Sequence, residues 1–268
     1  MVNNFIDNKG RWLQIANDDF EYSLLFIKSW LPFNAWYCSS YPDLNNNDRK
    51  ILTVLKNNNN LFRTRIISLL EGEDDESVYF RNNLVQLHNQ LELCKVPSVE
   101  KSVSFKSLNF RENPNTIFTK THRNHQFKVE FITPIPPQNY RIKIDVINNN
   151  NISILAYQYT KYNLIHFVAD NDYQNLSETN QKIILDGFKT LSPRLKESLI
   201  VQKRNKSFKK IKEILLTENT DHLSQAIIEI LYNLRCILFH GEINPNKDNL
   251  KIYKPAFYML RLLIKSLN

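Results

Sequence analysis

Tyr232-Asn233-Leu234-Arg235-Cys236-Ile237-Leu238-Phe239-His240-Gly241-Glu242 sets one arginine inside a long apolar run and a histidine at its end. From Leu223 to Phe239 apolar side chains fall on nearly every side of a helical turn, which predicts a helix buried over most of its surface. At about 100° per residue, Arg235 shares its face with Ile228, Leu231, Tyr232 and Phe239. An unpaired guanidinium is costly there, so Arg235 needs either a buried acid or an anion arriving from outside. Asp221 is a candidate cap at the start of this helix and Gly241 stops it. After the Asn244-Pro245-Asn246-Lys247-Asp248 loop, a last helix from Pro255 to Leu267 is expected to pack back on it through Phe257, Leu260 and Ile264.

Working outward, Trp12, Ile15, Phe20, Leu24, Ile27 and Leu31 run at helical spacing, and Pro32 is expected to end or kink that helix. A second helix is expected from Asp48 through Ile51, Leu52 and Leu55. The Asn57 to Asn60 run breaks it, and helical patterning resumes at Leu61. The acidic group Glu73 to Glu76 suits the start of a helix running through Val78, Leu84, Leu87 and Leu91, with Pro97 to terminate it. Between Ser102 and Thr160 the period changes from 3.6 to 2. Phe127-Lys128-Val129-Glu130-Phe131 and Tyr140-Arg141-Ile142-Lys143-Ile144-Asp145-Val146 alternate as half-buried strands do, and Ile152-Ser153-Ile154 continues the pattern. Asn148 to Asn151 reads as a hairpin turn, and Pro134, Pro136 and Pro137 belong to a connection. Helical patterning returns after Tyr162, with segments expected from Pro193 and from Phe208 to Leu216. The expected fold is mainly α, α+β overall: helical parts at residues 1–100 and 161–268 flank a β-rich antiparallel insert at 101–160. The remaining asparagine runs read as loop filler.

The chain has ample apolar material for a core, at 268 residues and 42% hydrophobic. Cys38, Cys94 and Cys236 are an odd, widely spaced set, which argues against a disulfide framework and against a zinc knuckle. With no apolar signal segment at Met1 to Lys9 and no membrane-length apolar run, the expected compartment is the cytoplasm. Four glycines and no Gly-rich loop argue against a P-loop or Rossmann nucleotide enzyme. His122, Arg123 and His125 read as a polar connection before a strand. Two imidazoles with no carboxylate or thiol near them make a poor metal site, so no metal or cofactor is expected.

A formal charge of +8 and a pI near 9.2 draw the chain toward anions. Much of the excess is local, in Lys203, Arg204, Lys206, Lys209, Lys210 and Lys212 around Phe208. Such a cluster binds a phosphate backbone by counterion release and offers a ring for a base. The plain alternative is a solvated helix face with Phe208 and Ile211 turned inward.

Arg235, four residues and then His240, late in a helical chain and followed by Gly241-Glu242, resembles the R-x4-6-H motif of HEPN domains. Trp30-Leu31-Pro32-Phe33-Asn34-Ala35-Trp36-Tyr37 is similar to openings of bacterial HEPN proteins. The resemblance covers the first and last hundred residues and implies a helical bundle, commonly dimeric. Many members are metal-independent ribonucleases of toxin–antitoxin and phage-defence systems. It implies RNA as substrate, a homodimer with a composite site, and a cognate antitoxin or defence-system partner. Arg235 would clamp the scissile phosphate through a bidentate fork, and His240 would serve as acid/base for attack by the 2′-OH. Asn233, Cys236 and Glu242 would be assistants. The residue after the family's arginine is usually Asn, Asp or His, and here it is Cys236. Five residues on a helix turn about 140°, so Arg235 and His240 do not share a face unless the backbone departs from helix at His240.

Three other accounts use the same residues. A structural one makes His240 a cap for free carbonyls and pairs Arg235 with Glu229 or Glu242. A catalytically inactive HEPN-like module would bind RNA, a nucleotide or a partner through the same groove. Cys236 and His240, four apart, could form a thiolate and imidazolium pair for acyl transfer.

Overall fold

Short polar side chains decide where the helices begin. In a computed structural model that describes residues 9–10, 22–44, 47–94, 103–133, 141–202 and 207–267, α1 runs Tyr22–Ser40, α2 Asp48–Asn57, α3 Leu61–Glu71 and α4 Asp75–Leu93. The side chains of Asn47, Asn60 and Asp74 each accept a hydrogen bond from the backbone N–H three residues on, which satisfies a donor the helix leaves free. Asn219 does the same for α8, Thr220–Phe239, so Asp221 lies in the first turn rather than at the cap. Asn47 and Asn60, which end asparagine runs, are therefore helix starts.

Pro32 does not end α1. The helix continues through it to Ser40, with Pro32 exposed and Phe26, Trp30, Phe33 and Tyr37 buried on the opposite side. Burial of four large rings outweighs the roughly 3 kcal/mol a proline costs in a helix. Pro97 lies outside the described residues.

Chain contacts divide the protein into two units. One comprises Met1–Phe110 with Lys196–Asn268, and the other is Arg111–Leu195. In the first, α1 to α4, α8 and α10 (Tyr253–Ile264) share one hydrophobic core. Among the described residues α10 packs chiefly on α1 and α4, as in the ring pairs Tyr22–Phe257 at 6.1 Å and Phe26–Tyr253 at 5.5 Å. Its link to α8 is lighter, through a hydrogen bond from the Tyr253 hydroxyl to the Leu234 carbonyl at 3.1 Å. Between α8 and α10 lies the short α9, Lys247–Leu250. The segments expected to be helical at Pro193 and at Phe208–Leu216 are strands: β6, Arg194–Glu197, and a hairpin of β7, Lys209–Ile211, with β8, Ile214–Leu216. Lys212 makes the tight turn at φ 53°, and the alternation that buries Ile211, Ile214 and Leu216 overrides a weak helical spacing.

The second unit is an antiparallel sheet with helices on one face. β2 (Ile117–His122), β3 (His125–Phe131), β4 (Ile142–Asn148) and β5 (Ser153–Tyr159) lie in the order β2-β3-β4-β5. Period-2 alternation turns Phe127, Val129, Ile142, Ile144, Val146, Leu155 and Tyr157 inward. There they meet Phe167 of α5 (Leu164–Val168), Tyr173 of α6 (Asn171–Gln174) and Ile183, Ile184 and Phe188 of α7 (Glu178–Thr190). Gly187 of α7 stands where the Phe118 ring crosses, with no room for a Cβ. The compact unit thus extends to Leu195, past the residue 160 at which the β-rich insert was expected to close, because the amphipathic helices after Tyr162 cover the sheet. The polar connection expected at His122 to His125 is the β2–β3 turn: His122 opposes His125, and Arg123 is at φ 50°. Asn148 closes the β4–β5 hairpin as expected, accepting from the N–H groups of Asn150 and Ile152 at 2.9 Å, while Asn151 takes φ 59°. The proline-rich stretch at Pro134, Pro136 and Pro137 lies outside the described residues. β1 (Leu108–Glu112) and β6 form a two-stranded sheet where the chain passes from one unit to the other.

Among the described residues 54% are helical and 19% in strands, with an antiparallel sheet, so the fold is mixed α+β. Among the described residues no helix is long and apolar enough to cross a membrane, and no group of three or more His, Cys, Asp or Glu side chains is placed to hold a metal.

Candidate functional site

Arg235 sits four residues from the end of α8, half-buried, and its acid partner comes from another helix. Its Nη2 lies 3.4 Å from Oδ2 of Asp48, in the first turn of α2. The candidate acids were Glu229 and Glu242. Glu229 is six residues from Arg235, roughly 120° away around the helix, so it faces elsewhere. Its carboxylate, 2% exposed, instead receives Arg49 Nη1 at 2.7 Å and Lys56 Nζ at 2.6 Å. Lys56 also donates to the Phe110 carbonyl at 3.0 Å. Asp48 is held in turn by the Tyr37 hydroxyl, which donates to Oδ1 at 2.8 Å, and the Asn34 side chain touches the same hydroxyl. Burial, reinforced by the neighbouring Asp48 carboxylate, raises the Tyr37 pKa and keeps the phenol a neutral donor.

Each arginine lies against one aromatic ring. The Arg235 guanidinium lies 4.7 Å from the Phe239 ring centroid, and that of Arg49 lies 5.6 Å from the Tyr232 ring. Burial first, then the hydrogen bond to Cys236, pushes the Tyr232 phenol up to about 12. Cys236 is itself buried, with Arg235 Nη1 4.0 Å from its Sγ. Among the described residues the Cys236 thiol makes no hydrogen bond to the His240 imidazole, so it is arranged as a packed neighbour of Tyr232 and Arg235 rather than as half of a reactive pair.

His240 is the last element of the motif. It is exposed, and its backbone N–H closes α8 on the Cys236 carbonyl at 2.9 Å. Gly241 follows at φ 61°, the left-handed turn that stops the helix. Among the described residues the imidazole makes no hydrogen bond, so it is not the carbonyl cap of the structural account. Asn233 and Glu242 are both half-buried on either side.

Of the basic cluster, Lys209 and Lys210 lie elsewhere. Lys203, Arg204 and Lys206 lie outside the described residues. Lys209 caps the end of α3 by donating to the Leu70 carbonyl at 3.2 Å, and Lys210 is exposed on β7. Phe208 is 38% exposed rather than turned inward. Glu71, beside Leu70, accepts from Thr220 at the first turn of α8, at 2.9 Å. About 22 Å of helix, at 1.5 Å per residue, therefore lies between Thr220, near the Lys209 contact, and Arg235.

The residues that sequence reasoning missed are Asp48, Arg49, Tyr37 and Asn34. The available signal was the buried helix itself, which carries both Glu229 and Arg235 on different faces and so requires two separate sets of counter-charges from other elements. Compared with known proteins, the chain matches no family model, no curated protein and no solved structure.

Proposed function

We propose that this chain is a metal-independent, HEPN-like endoribonuclease of a toxin or phage-defence type, acting as a homodimer on RNA. The observation that carries this reading is the end of α8: a half-buried guanidinium stacked on Phe239 and, five residues later, an exposed imidazole at the break made by Gly241. A neutral imidazole at this position can take the 2′-OH proton as general base. The 2′-oxygen then bonds to phosphorus as the bond to the 5′-oxygen breaks, leaving a 2′,3′-cyclic phosphate and a 5′-hydroxyl. Arg235 holds the phosphate oxygens as charge builds on them. Two copies, each contributing an Arg235 and a His240, overcome the angle between these side chains on one helix.

The purified protein is expected to nick RNA in EDTA. Arg235→Ala and His240→Ala should each lower the rate by about 10²- to 10⁴-fold. Retention of activity by both variants, or a 3′-hydroxyl product, overturns the reading.

A binding module without catalysis is favoured by one feature, the Asp48 carboxylate already facing Arg235. It predicts salt-dependent RNA binding with intact RNA recovered. A cognate partner protein, in either case, should co-purify with the native complex.

A further inference from the structure

Arg49 and Arg235 each keep a donor that nothing accepts. Arg49 Nη2 and Arg235 Nε are buried from solvent and make no hydrogen bond. A guanidinium carries five N–H donors, and burying one without an acceptor costs about as much as losing a hydrogen bond. These two groups belong to one cluster. Asp48 and Arg49 are consecutive on α2; Asp48 faces Arg235, while Arg49 lies over the ring of Tyr232, three residues before Arg235 on α8.

The acids present do not fill this capacity. Arg49 shares Glu229 with Lys56. Arg235 stands 3.4 Å from Asp48, beyond the roughly 2.7–2.9 Å of a strong guanidinium–carboxylate bond. Both arginine side chains are partly open to solvent, at 30% for Arg49 and 23% for Arg235. Two planar forks, each with a spare donor and each on a side chain partly open to solvent, match the several oxygens of one phosphate group better than one more carboxylate would.

We propose that Arg49 and Arg235 together form a two-guanidinium site for a single phosphate group. If the ribonuclease reading holds, that group is the phosphodiester at or next to the bond cut. Arg49 is then a binding residue lying outside the Arg235–His240 motif, nearly two hundred positions away in sequence.

Inorganic phosphate is the probe, with the full chain and with Arg49→Lys and Arg235→Lys variants. Lysine keeps the charge and can keep the ion pair, so the fold is retained while the fork is lost. Relative to sodium chloride of equal ionic strength, phosphate should raise the melting temperature of the wild type more than that of either variant. Equal rises in all three proteins, or no rise in the wild type, overturns the site. A second measurement follows a fluorescent ten-nucleotide single-stranded RNA by anisotropy across salt concentrations. Arg49→Gln should bind about tenfold more weakly and lower the slope of log K against log salt by about 0.7, the share of one phosphate contact on a single strand. RNA binding unchanged by Arg49→Gln overturns the site and leaves the ribonuclease reading standing. A phosphate effect that depends on Arg49, without RNA binding by the wild type, keeps the site and sinks the ribonuclease reading.

Discussion

Buried charge is the residue-scale theme of this protein. Glu229, at 2% exposure, neutralises cations from two positions of α2, and its loss removes counter-charge from Arg49 and Lys56 together. Breaking a buried pair typically costs about 3–5 kcal/mol, so Glu229→Gln should lower unfolding free energy in urea by that order. A change under about 1 kcal/mol, the range of surface pairs, would place the cluster effectively in solvent. His88 is the opposite case, a buried imidazole kept neutral. Burial depresses its pKa below the ordinary 6.5, opposed by the Glu92 and Glu213 carboxylates and helped by the Lys106 ammonium; the Phe105 ring packs edge-on beside it. The unfolded chain therefore takes the proton first as pH falls. Stability is expected to drop as pH goes below 6.5, by no more than about 1.4 kcal/mol per pH unit from this residue, and His88→Leu should flatten that part of the curve. Identical acid limbs for wild type and variant would show that His88 does not titrate on unfolding. The motif's geometry follows the same logic: Arg235 and His240 were legible as chemistry, but the acid facing Arg235 was not, because only packing brings α2 against α8.

At the scale of elements, periodicity identified those that bury a regular face and failed on those stabilised by neighbours. The starts of α2 and α3, the β4–β5 hairpin and the glycine stop of α8 all follow from local chemistry that survives in any context. The β7–β8 hairpin does not. Its strands are three residues each, and their pairing, together with the bridge from Ile200 to Leu216, stabilises what a short window of spacing cannot reveal. Pro32 shows tertiary burial overriding propensity most directly. Since its ring is solvent-exposed while the helix is held by rings on the other face, Pro32→Ala restores a backbone donor without disturbing the core. It should raise stability by about 1–3 kcal/mol, read as a higher urea midpoint at unchanged slope. A loss of stability would mean that the proline is required by the shape of α1.

For the whole molecule, two hydrophobic clusters with no shared member mean two cores, each with its own unit. The second unit is continuous in sequence, and its sheet and covering helices come from one uninterrupted stretch. A fragment of residues 111–195 should therefore fold alone, giving dispersed amide signals by NMR and a cooperative thermal transition. Collapsed signals from the fragment would show that its core needs the rest of the chain. The sequence by itself determined that helices dominate, that a β-rich segment interrupts them, and that an arginine and a histidine lie at the end of a long apolar helix. Those follow from composition and from periods of 2 and 3.6, which are local quantities. Only the tertiary structure decided that the inner unit runs on to Leu195, that α10 rests on α1 and α4, and that Arg235 meets Asp48 while Glu229 meets Arg49 and Lys56. Each of these joins residues distant along the chain, and what selects the partner is the complementarity of two buried faces, a property that neither face carries alone.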